Sequence, residues 1–221
     1  RKEAIVQSRE QSIQLIYDVL KKNNKKLDAF ISASGIGIYG AINGSEICKE
    51  ITAPENDFLG TTCLKWEAAA DTIESLGIRT VKIRTGLVIG KGEGFLKKLG
   101  PIFKMKLGSP IGSGKQYMPW IHIDDLCAVY LKSIVDSEMS GPYNAAINDA
   151  TNNEIFSKTL AQIYEYSIWL PNVPAFMIQI AMGEMSKIIL TGRRVSSDKI
   201  EKTGFQFQFK HLEQALRSSI D

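Results

Sequence analysis

The stretch from Ile31 to Gly40 constrains the fold of this chain most strongly. It reads ISASGIGIYG, an apolar start that runs into small residues and then into a glycine-rich turn. This pattern predicts a buried strand that ends near Ser34 and opens into a flexible turn. In an open parallel α/β sheet, ligands bind in the crevice beyond the carboxyl ends of the strands. We therefore expect the hydroxyl of Ser34 at such a crevice.

The composition indicates a globular protein that has no nucleic-acid partner. The chain has 221 residues, 44% of them hydrophobic, which is enough for a sizeable core in one domain or in one domain plus a small appendix. Its 27 basic and 24 acidic side chains give a formal charge of +3 and form no basic run or stripe. We expect a small-molecule substrate, with the chain a monomer or a homodimer.

The cysteines favour a cytoplasmic location. Cys48, Cys63 and Cys127 are odd in number and have no metal-ligand spacing, so we predict a reducing compartment and no metal site. The start of the sequence lacks the apolar segment of a signal peptide, and no apolar run approaches the roughly 18 residues of a membrane span. No membrane association is therefore expected.

The first helix, predicted over residues 4–22, carries an arginine on its apolar face. Arg9 falls on one stripe with Ile13, Ile16 and Leu20, at spacings of four, three and four. A guanidinium is costly to bury unless an anion or a carbonyl meets it. Arg9 therefore either contributes to a site or extends to solvent from the first turn.

A strand, a helix and a second strand follow in that order. The strands are predicted over 27–33 and 78–83, and Asp57 is a plausible N-cap for the helix between them. Leu59 and Cys63 lie one turn apart on the buried face of this helix. The order predicts a parallel α/β sheet flanked by helices.

Further along, a glycine cluster at 90–94 lacks the third glycine of a dinucleotide-binding loop, so we interpret it as a flexible loop beside the site. A strand predicted over 117–123 delivers Asp124 and Asp125 to the start of a helix, where capping explains both carboxylates. His122 lies in an apolar run, which favours a structural histidine over a general base.

Two prolines near residue 171 divide the chain into a domain at 1–168 and a small, mainly helical subdomain at 169–221. A methionine-rich helix is predicted over 175–190. Its methionines are expected in the core, as gap-filling side chains, and not in a cofactor site.

Several short segments come in a recognisable order along the chain. They are SASGIGIYG at 32–40, WE at 66–67, RTG at 84–86, PWIHIDDL at 119–126 and GPYN at 141–144. Together they resemble an extended short-chain dehydrogenase/reductase over nearly the whole chain, and within that superfamily the atypical NAD-dependent epimerase-like proteins. Segments at 183–185, 192–195 and 204–207 are similar to the small domain of unknown function that closes those proteins.

The resemblance implies a Rossmann-like sheet that binds NADP or NAD. Such proteins open with a GxxGxxG turn that cradles the pyrophosphate, and this sequence has no such turn at its start. We therefore expect a chain that begins inside its domain and holds a dinucleotide incompletely. By analogy, segment 85–88 lies by the nicotinamide. The expected cofactor contacts are Arg9, Ser32, Ala33, Thr85, Gly86, Leu87 and Val88.

The same resemblance implies an unusual catalytic set. Family enzymes carry a YxxxK motif on a helix, in which the lysine lowers the tyrosine pKa and the tyrosine transfers a proton. Here Leu59 stands at the tyrosine position and Cys63 at the lysine position, while Arg9 replaces a supporting asparagine. Ser34 corresponds to the family's serine, and Tyr39 to a tyrosine that lines the site. The predicted catalytic residues are Ser34, Cys63 and Tyr39.

Two alternatives stay open for Cys63. A neighbouring Arg9 would depress the thiol pKa and make Cys63 an acid or a nucleophile. Otherwise it is an inert, buried cysteine on an apolar stripe.

Three functions are consistent with the sequence. The first is an NAD(P)-dependent oxidoreductase or nucleotide-sugar-epimerase-like enzyme with an unusual acid, and the second is a catalytically silent NAD(P)-binding sensor. The third is a scaffold that uses its methionine-rich tail as a partner surface. The substrate is not predicted by any of these residues.

Overall fold

The computed structural model describes residues 2–92 and 94–220. The strands are β1 (Ala29–Gly35), β2 (Gly44–Cys48), β3 (Arg79–Thr85), β4 (Leu87–Ile89), β5 (Trp120–His122), β6 (Gly141–Ala145) and β7 (Arg193–Val195). The helices are α1 (Lys2–Lys22), α2 (Phe58–Glu74), α3 (Gly94–Lys104), α4 (Ile123–Val135), α5 (Asn153–Ile163), α6 (Ala175–Met182), α7 (Ser186–Leu190), α8 (Asp198–Glu201) and α9 (Leu212–Ser219). Short 3-10 turns cover Ile36–Tyr39 and Gly183–Met185.

The central sheet is parallel, with the strand order β1-β3-β6. Gly35 lies opposite Thr85, and Thr85 lies opposite Ala145, so the carboxyl ends of all three strands meet at one edge. Two further parallel pairs, β4 with β5 and β2 with β7, adjoin it. This arrangement confirms the predicted parallel α/β class.

Strand β3 shows how the sheet separates its two faces. Successive side chains on a strand point to opposite faces. Val81 and Ile83 are fully buried in the main apolar cluster, which also contains Val129 of α4. Lys82 and Arg84 point to α2, where they pair with Asp71 and Glu67. The face toward α2 is therefore a polar interface inside the protein.

Helix α1 packs mainly against α2. Ile13 and Leu20 are buried with Ile73 of α2, as the predicted stripe requires. Ile16, on the same stripe, is 39% exposed, and Arg9 is half-buried. Because α1 contacts mainly one helix, only part of its apolar stripe is covered, and Ile16 stays partly exposed.

Two predicted strand boundaries differ from the structure. Strand β1 continues to Gly35, so Ser34 lies inside the ladder opposite Arg84 and not at its end. The strand predicted over 117–123 is only Trp120–His122, because α4 begins at Ile123. The Nδ1 atom of His122 caps this helix by accepting a hydrogen bond from the Asp124 amide at 3.2 Å. His122 thus has the structural role that the sequence predicts.

The prediction for the methionine-rich helix was wrong in two respects. Its path breaks at Gly183, whose φ of 55° is left-handed, so α6 and α7 are separate helices. No side chain of α6 is buried, and Met177 is 52% exposed. Helical periodicity without a polar face does not reveal what lies beside a helix.

The C-terminal segment shares the main core. Phe207, Phe209 and Leu216 belong to the same apolar cluster as Val81. The carboxylate of Asp125 accepts hydrogen bonds from the amides of residues 208 and 209, at 2.7 and 3.0 Å. The domain boundary at 168/169 stays a prediction. Within residues 2–92 and 94–220, no helix combines the length and the apolar character needed to cross a membrane.

Candidate functional site

A cavity of about 570 Å³ lies beyond the carboxyl ends of β1 and β3. The 3-10 turn after β1 and the segment after β3 form one side of it, and α3 contributes Phe95 and Lys98. The opposite side comes from the loop around Tyr117, from α7 and from the start of β7. A volume of this size is typical of a small-molecule site.

Three of the predicted cofactor contacts line this cavity, namely Thr85, Gly86 and Leu87. Their backbone is fixed, since the Gly86 amide donates to Ala145 O at 3.0 Å and the Leu87 amide donates to Pro119 O at 2.8 Å. A Cβ at Gly86 would lie 2.7 Å from Pro119 O, so only glycine allows this close approach. Val88 is not among the lining residues.

Under the cavity lies a polar network made of Ser34, Tyr39, Glu67, Arg84 and Asn144. Its centre is a two-pronged ion pair, in which Arg84 Nε and Nη2 donate to the two Glu67 oxygens at 2.7 and 2.8 Å. The side chains are only 6% and 8% exposed. Burial alone lowers the pKa of Arg84, but its bonds to Glu67 more than reverse this, so the pKa is raised and the guanidinium stays charged.

Tyr39 lines the cavity but uses its hydroxyl within the network. It donates to Asn144 Oδ1 at 2.7 Å and accepts from Arg84 Nη1 at 3.0 Å. Burial raises the pKa of Tyr39 to about 12, and the Arg84 charge only partly offsets this. At neutral pH this phenol is protonated, and its proton is directed at Asn144.

The predicted serines of β1 are buried and do not line the cavity. The Ser34 hydroxyl donates to Glu67 Oε1 at 2.7 Å, and that of Ser32 donates to Ala33 O at 3.1 Å. Ala33 itself is exposed on the other face of β1. Ser34 therefore belongs to the polar network and does not line the cavity.

Leu59 and Cys63 face the 3-10 turn, as their spacing on α2 predicts. A Cβ at Gly37 would lie 3.6 Å from both Leu59 Cβ and Cys63 Sγ, and Leu59 also lines the cavity. Burial first, and then the charge of Glu67, raise the pKa of Cys63 to about 11. Of the two alternatives for Cys63, the raised pKa supports the buried, inert thiol, because desolvation exceeds the opposing effect of Arg9.

Arg9 lies outside the cavity lining. Its guanidinium is 4.9 Å from the centre of the Trp66 ring, and its Nη1 donates to Ile5 O at 2.9 Å. These contacts satisfy the charge locally and leave the side chain half-buried.

The C-terminal segment closes the cavity through β7. Arg193 pairs with Glu55 at 3.2 Å and with Glu46 at 3.3 Å, so two of its guanidinium nitrogens contact β2 and the loop that follows it. A Cβ at Gly192 would lie 2.0 Å from Tyr117 O, which fixes glycine at this contact. This wall is therefore packed against the sheet domain.

Sequence reasoning missed the ion pair and most of the lining. Glu67 and Arg84 enter the sequence prediction only as members of the WE and RTG segments, without a role of their own. The available signal was the alternation of β3, which places arginine and lysine between buried apolar residues and so demands acidic partners. For Phe95, Lys98 and Tyr117 no local signal existed, because their proximity depends on tertiary packing.

Comparison with known proteins identifies relatives along the full described length. The family model "Domain of unknown function (DUF1731)" matches residues 173–219. Epimerase family protein YfhF of Bacillus subtilis is 33% identical over 219 residues, which cover 99% of this chain and 72% of the relative.

Two solved structures are also similar. Human epimerase family protein SDR39U1 (isoform 2), solved with NADPH, has a TM-score of 0.90 at 28% identity, covering 99% of this chain and 74% of that one. A nucleoside-diphosphate sugar epimerase from Corynebacterium glutamicum has a TM-score of 0.81 at 29% identity, covering 99% of this chain and 43% of that one. The chain thus belongs to the epimerase family, an atypical branch of the short-chain dehydrogenase/reductase superfamily with a C-terminal DUF1731 domain.

Proposed function

We propose that this protein binds NADPH or NADH and interconverts a carbonyl compound and its alcohol. One observation carries the proposal: the cavity lies where the parallel strands β1 and β3 end, in a fold similar at TM-score 0.90 to a relative solved with NADPH.

The described lining fits the nicotinamide end of such a cofactor. It has room for a ring beside a small substrate, and none of the described lining residues is acidic. Thr85, Gly86 and Leu87 would hold the ring. When bound, the cofactor supplies or accepts the hydride of the reaction.

Carbonyl reduction also requires one proton at the carbonyl oxygen. Leu59 carries none, Cys63 is an enclosed thiol whose pKa is raised, and the Tyr39 proton is directed at Asn144. Lys98 and Tyr117 are the titratable side chains of the described lining that no ion pair or network bond occupies. We assign Ser34 and Tyr39 a positioning role, since the Ser34 hydroxyl bonds to Glu67 and the Tyr39 hydroxyl bonds to Arg84.

The same observations favour a second candidate, a nicotinamide-nucleotide sensor without chemistry. Its basis is the sequence resemblance, by which an apolar side chain, Leu59, and a thiol, Cys63, stand at the positions of the family's tyrosine and lysine. In that case the cofactor binds, and no carbonyl compound consumes it.

The test is a calorimetric titration of the full-length gene product with NADPH and then with NADH, followed by assays of NAD(P)H consumption with a panel of carbonyl compounds. We expect binding of at least one nucleotide and turnover that Tyr117→Phe or Lys98→Met abolishes. Ser34→Ala is expected to lower kcat without changing nucleotide affinity. Ser133→Ala, which removes a buried hydroxyl of α4 bonded to Val129 O, is the matched control.

Each outcome decides between the candidates. Binding of neither nucleotide overturns both. Binding without turnover on any carbonyl compound overturns the enzyme and supports the sensor.

A further inference from the structure

We infer that the cavity takes a neutral, largely apolar compound, and that nucleotide sugars are the wrong class of substrate for it. The apolar character of the compound is argued from the lining alone. Its reacting carbonyl or alcohol group rests on the proposed function.

The lining is apolar on every side. Leu59 of α2, Phe95 of α3, Ile111, Met118, and Ile188 and Ile189 of α7 come from separate segments and converge on the same space. By the sequence resemblance, Leu59 stands at the position of the family's catalytic tyrosine. A ligand that fills this space meets mainly hydrocarbon.

The polar side chains of the lining are largely engaged with the protein. Asn153 Oδ1 accepts from the Ile111 amide at 2.7 Å, and the Thr191 hydroxyl donates to Lys187 O at 2.6 Å. Arg193 is paired with two glutamates, and the Tyr39 hydroxyl with Asn144. Among the described lining side chains, the donors left for a ligand are few: the buried Nε of Arg193, which has no partner, and the polar ends of Lys98 and Tyr117.

These facts select between two classes of substrate. A nucleotide sugar brings a diphosphate and several hydroxyl groups, which outnumber the few free donors of the lining, so most of them lose water on entry without finding a partner. Burial of an apolar ketone is favourable, and the ketone needs only one hydrogen bond at its oxygen, which Lys98 or Tyr117 can donate. The lining therefore favours the apolar ketone.

The test compares 2-decanone with UDP-glucose as ligands of the full-length protein, without cofactor, by ligand-observed NMR titration. Ile188→Glu places a carboxylate in the lining at a site that is already 53% exposed, so the fold tolerates it. Ile180→Glu is the matched control, because Ile180 of α6 is 80% exposed and outside the lining. Circular dichroism confirms that both variants are folded.

We expect 2-decanone to bind more tightly than UDP-glucose, and Ile188→Glu to weaken it at least about tenfold while Ile180→Glu leaves it unchanged. Tighter binding of UDP-glucose, or equal binding of 2-decanone by both variants, would overturn the inference. Because no nicotinamide cofactor is present, a failed NADPH titration leaves this result intact and removes only the proposed redox reaction.

Discussion

The polar network and the cavity lining lie side by side and are built in opposite ways. The network concentrates charge where water is excluded, and its members bond to one another: Glu67 to Arg84 and Ser34, and Tyr39 to Asn144. The lining is hydrocarbon around an open space. The two meet at Tyr39, whose ring faces the cavity region while its hydroxyl belongs to the network.

This difference separates stability from recognition. A buried ion pair favours one arrangement of the two elements that carry it, here α2 and β3. If they moved apart, each charge would stay buried without its counter-ion, which is costly in free energy. An apolar lining instead leaves surface for a ligand to cover. Substitutions in the network should therefore change the free energy of unfolding, and substitutions in the lining should change ligand affinity.

The largest effect should come from breaking the ion pair with Glu67→Gln. This change keeps the side-chain volume but leaves the Arg84 charge buried without a counter-ion, which costs about 3–5 kcal/mol of unfolding free energy. Urea denaturation measures it. Glu74→Gln, at an exposed site on the same helix, should shift stability by less than about 0.5 kcal/mol. If both variants changed the free energy of unfolding equally, the ion pair would not contribute specifically to stability.

A smaller effect is expected from Tyr39→Phe. The ring is retained, but Asn144 Oδ1 loses its donor, and an unsatisfied buried acceptor costs about 1–2 kcal/mol. Tyr17→Phe on helix α1, outside the network, is the control in the same denaturation assay. An unchanged free energy of unfolding in Tyr39→Phe would show that the Tyr39 hydroxyl does not belong to the network that stabilises the fold.

The smallest effect, absent at neutral pH, concerns Cys63. Its pKa is raised from 9.0 to about 11 in the folded protein, so between these values the unfolded chain releases a proton that the folded chain keeps. Stability should therefore fall as pH rises from about 9 to 11, and Cys63→Ala should remove that part of the slope. Cys127→Ala, at an exposed cysteine, should not. Unfolding free energies measured across this range check the sign, and a slope unchanged by Cys63→Ala would contradict it.

The sequence predicted those parts of the fold that depend on local patterns. Helix α2 follows Asp57, which caps it by accepting from the Gly60 amide at 2.8 Å, and Leu59 and Cys63 share the face that their spacing assigns. The parallel sheet follows from alternating strands and helices. The placement of residues 85–87 at the cavity came from a family resemblance, whereas Val88 lies outside the lining.

The parts that sequence could not predict depend on distant partners. Tyr39 and Asn144 are separated by 105 positions, and no local pattern links a phenol to that amide. The pKa of Cys63 depends on whether burial or a nearby cation has the larger effect, which only coordinates decide. The exposure of α6 likewise depends on what packs beside it, and an apolar helix has the same sequence pattern in either case.

The pairing of β2 with β7 constrains how this protein can change over evolution. The register sets Gly44 opposite Arg193 and Cys48 opposite Val195, while the Gly192 amide donates to Asn43 Oδ1 at 3.1 Å. An insertion within β2 would shift this register and carry Glu46 away from Arg193. The segment matched by the DUF1731 model is thus joined by backbone pairing to a loop nearly 150 positions earlier, about the separation of Asn43 and Gly192. Grafting that segment onto another sheet domain would require its β2 loop to be transplanted with it.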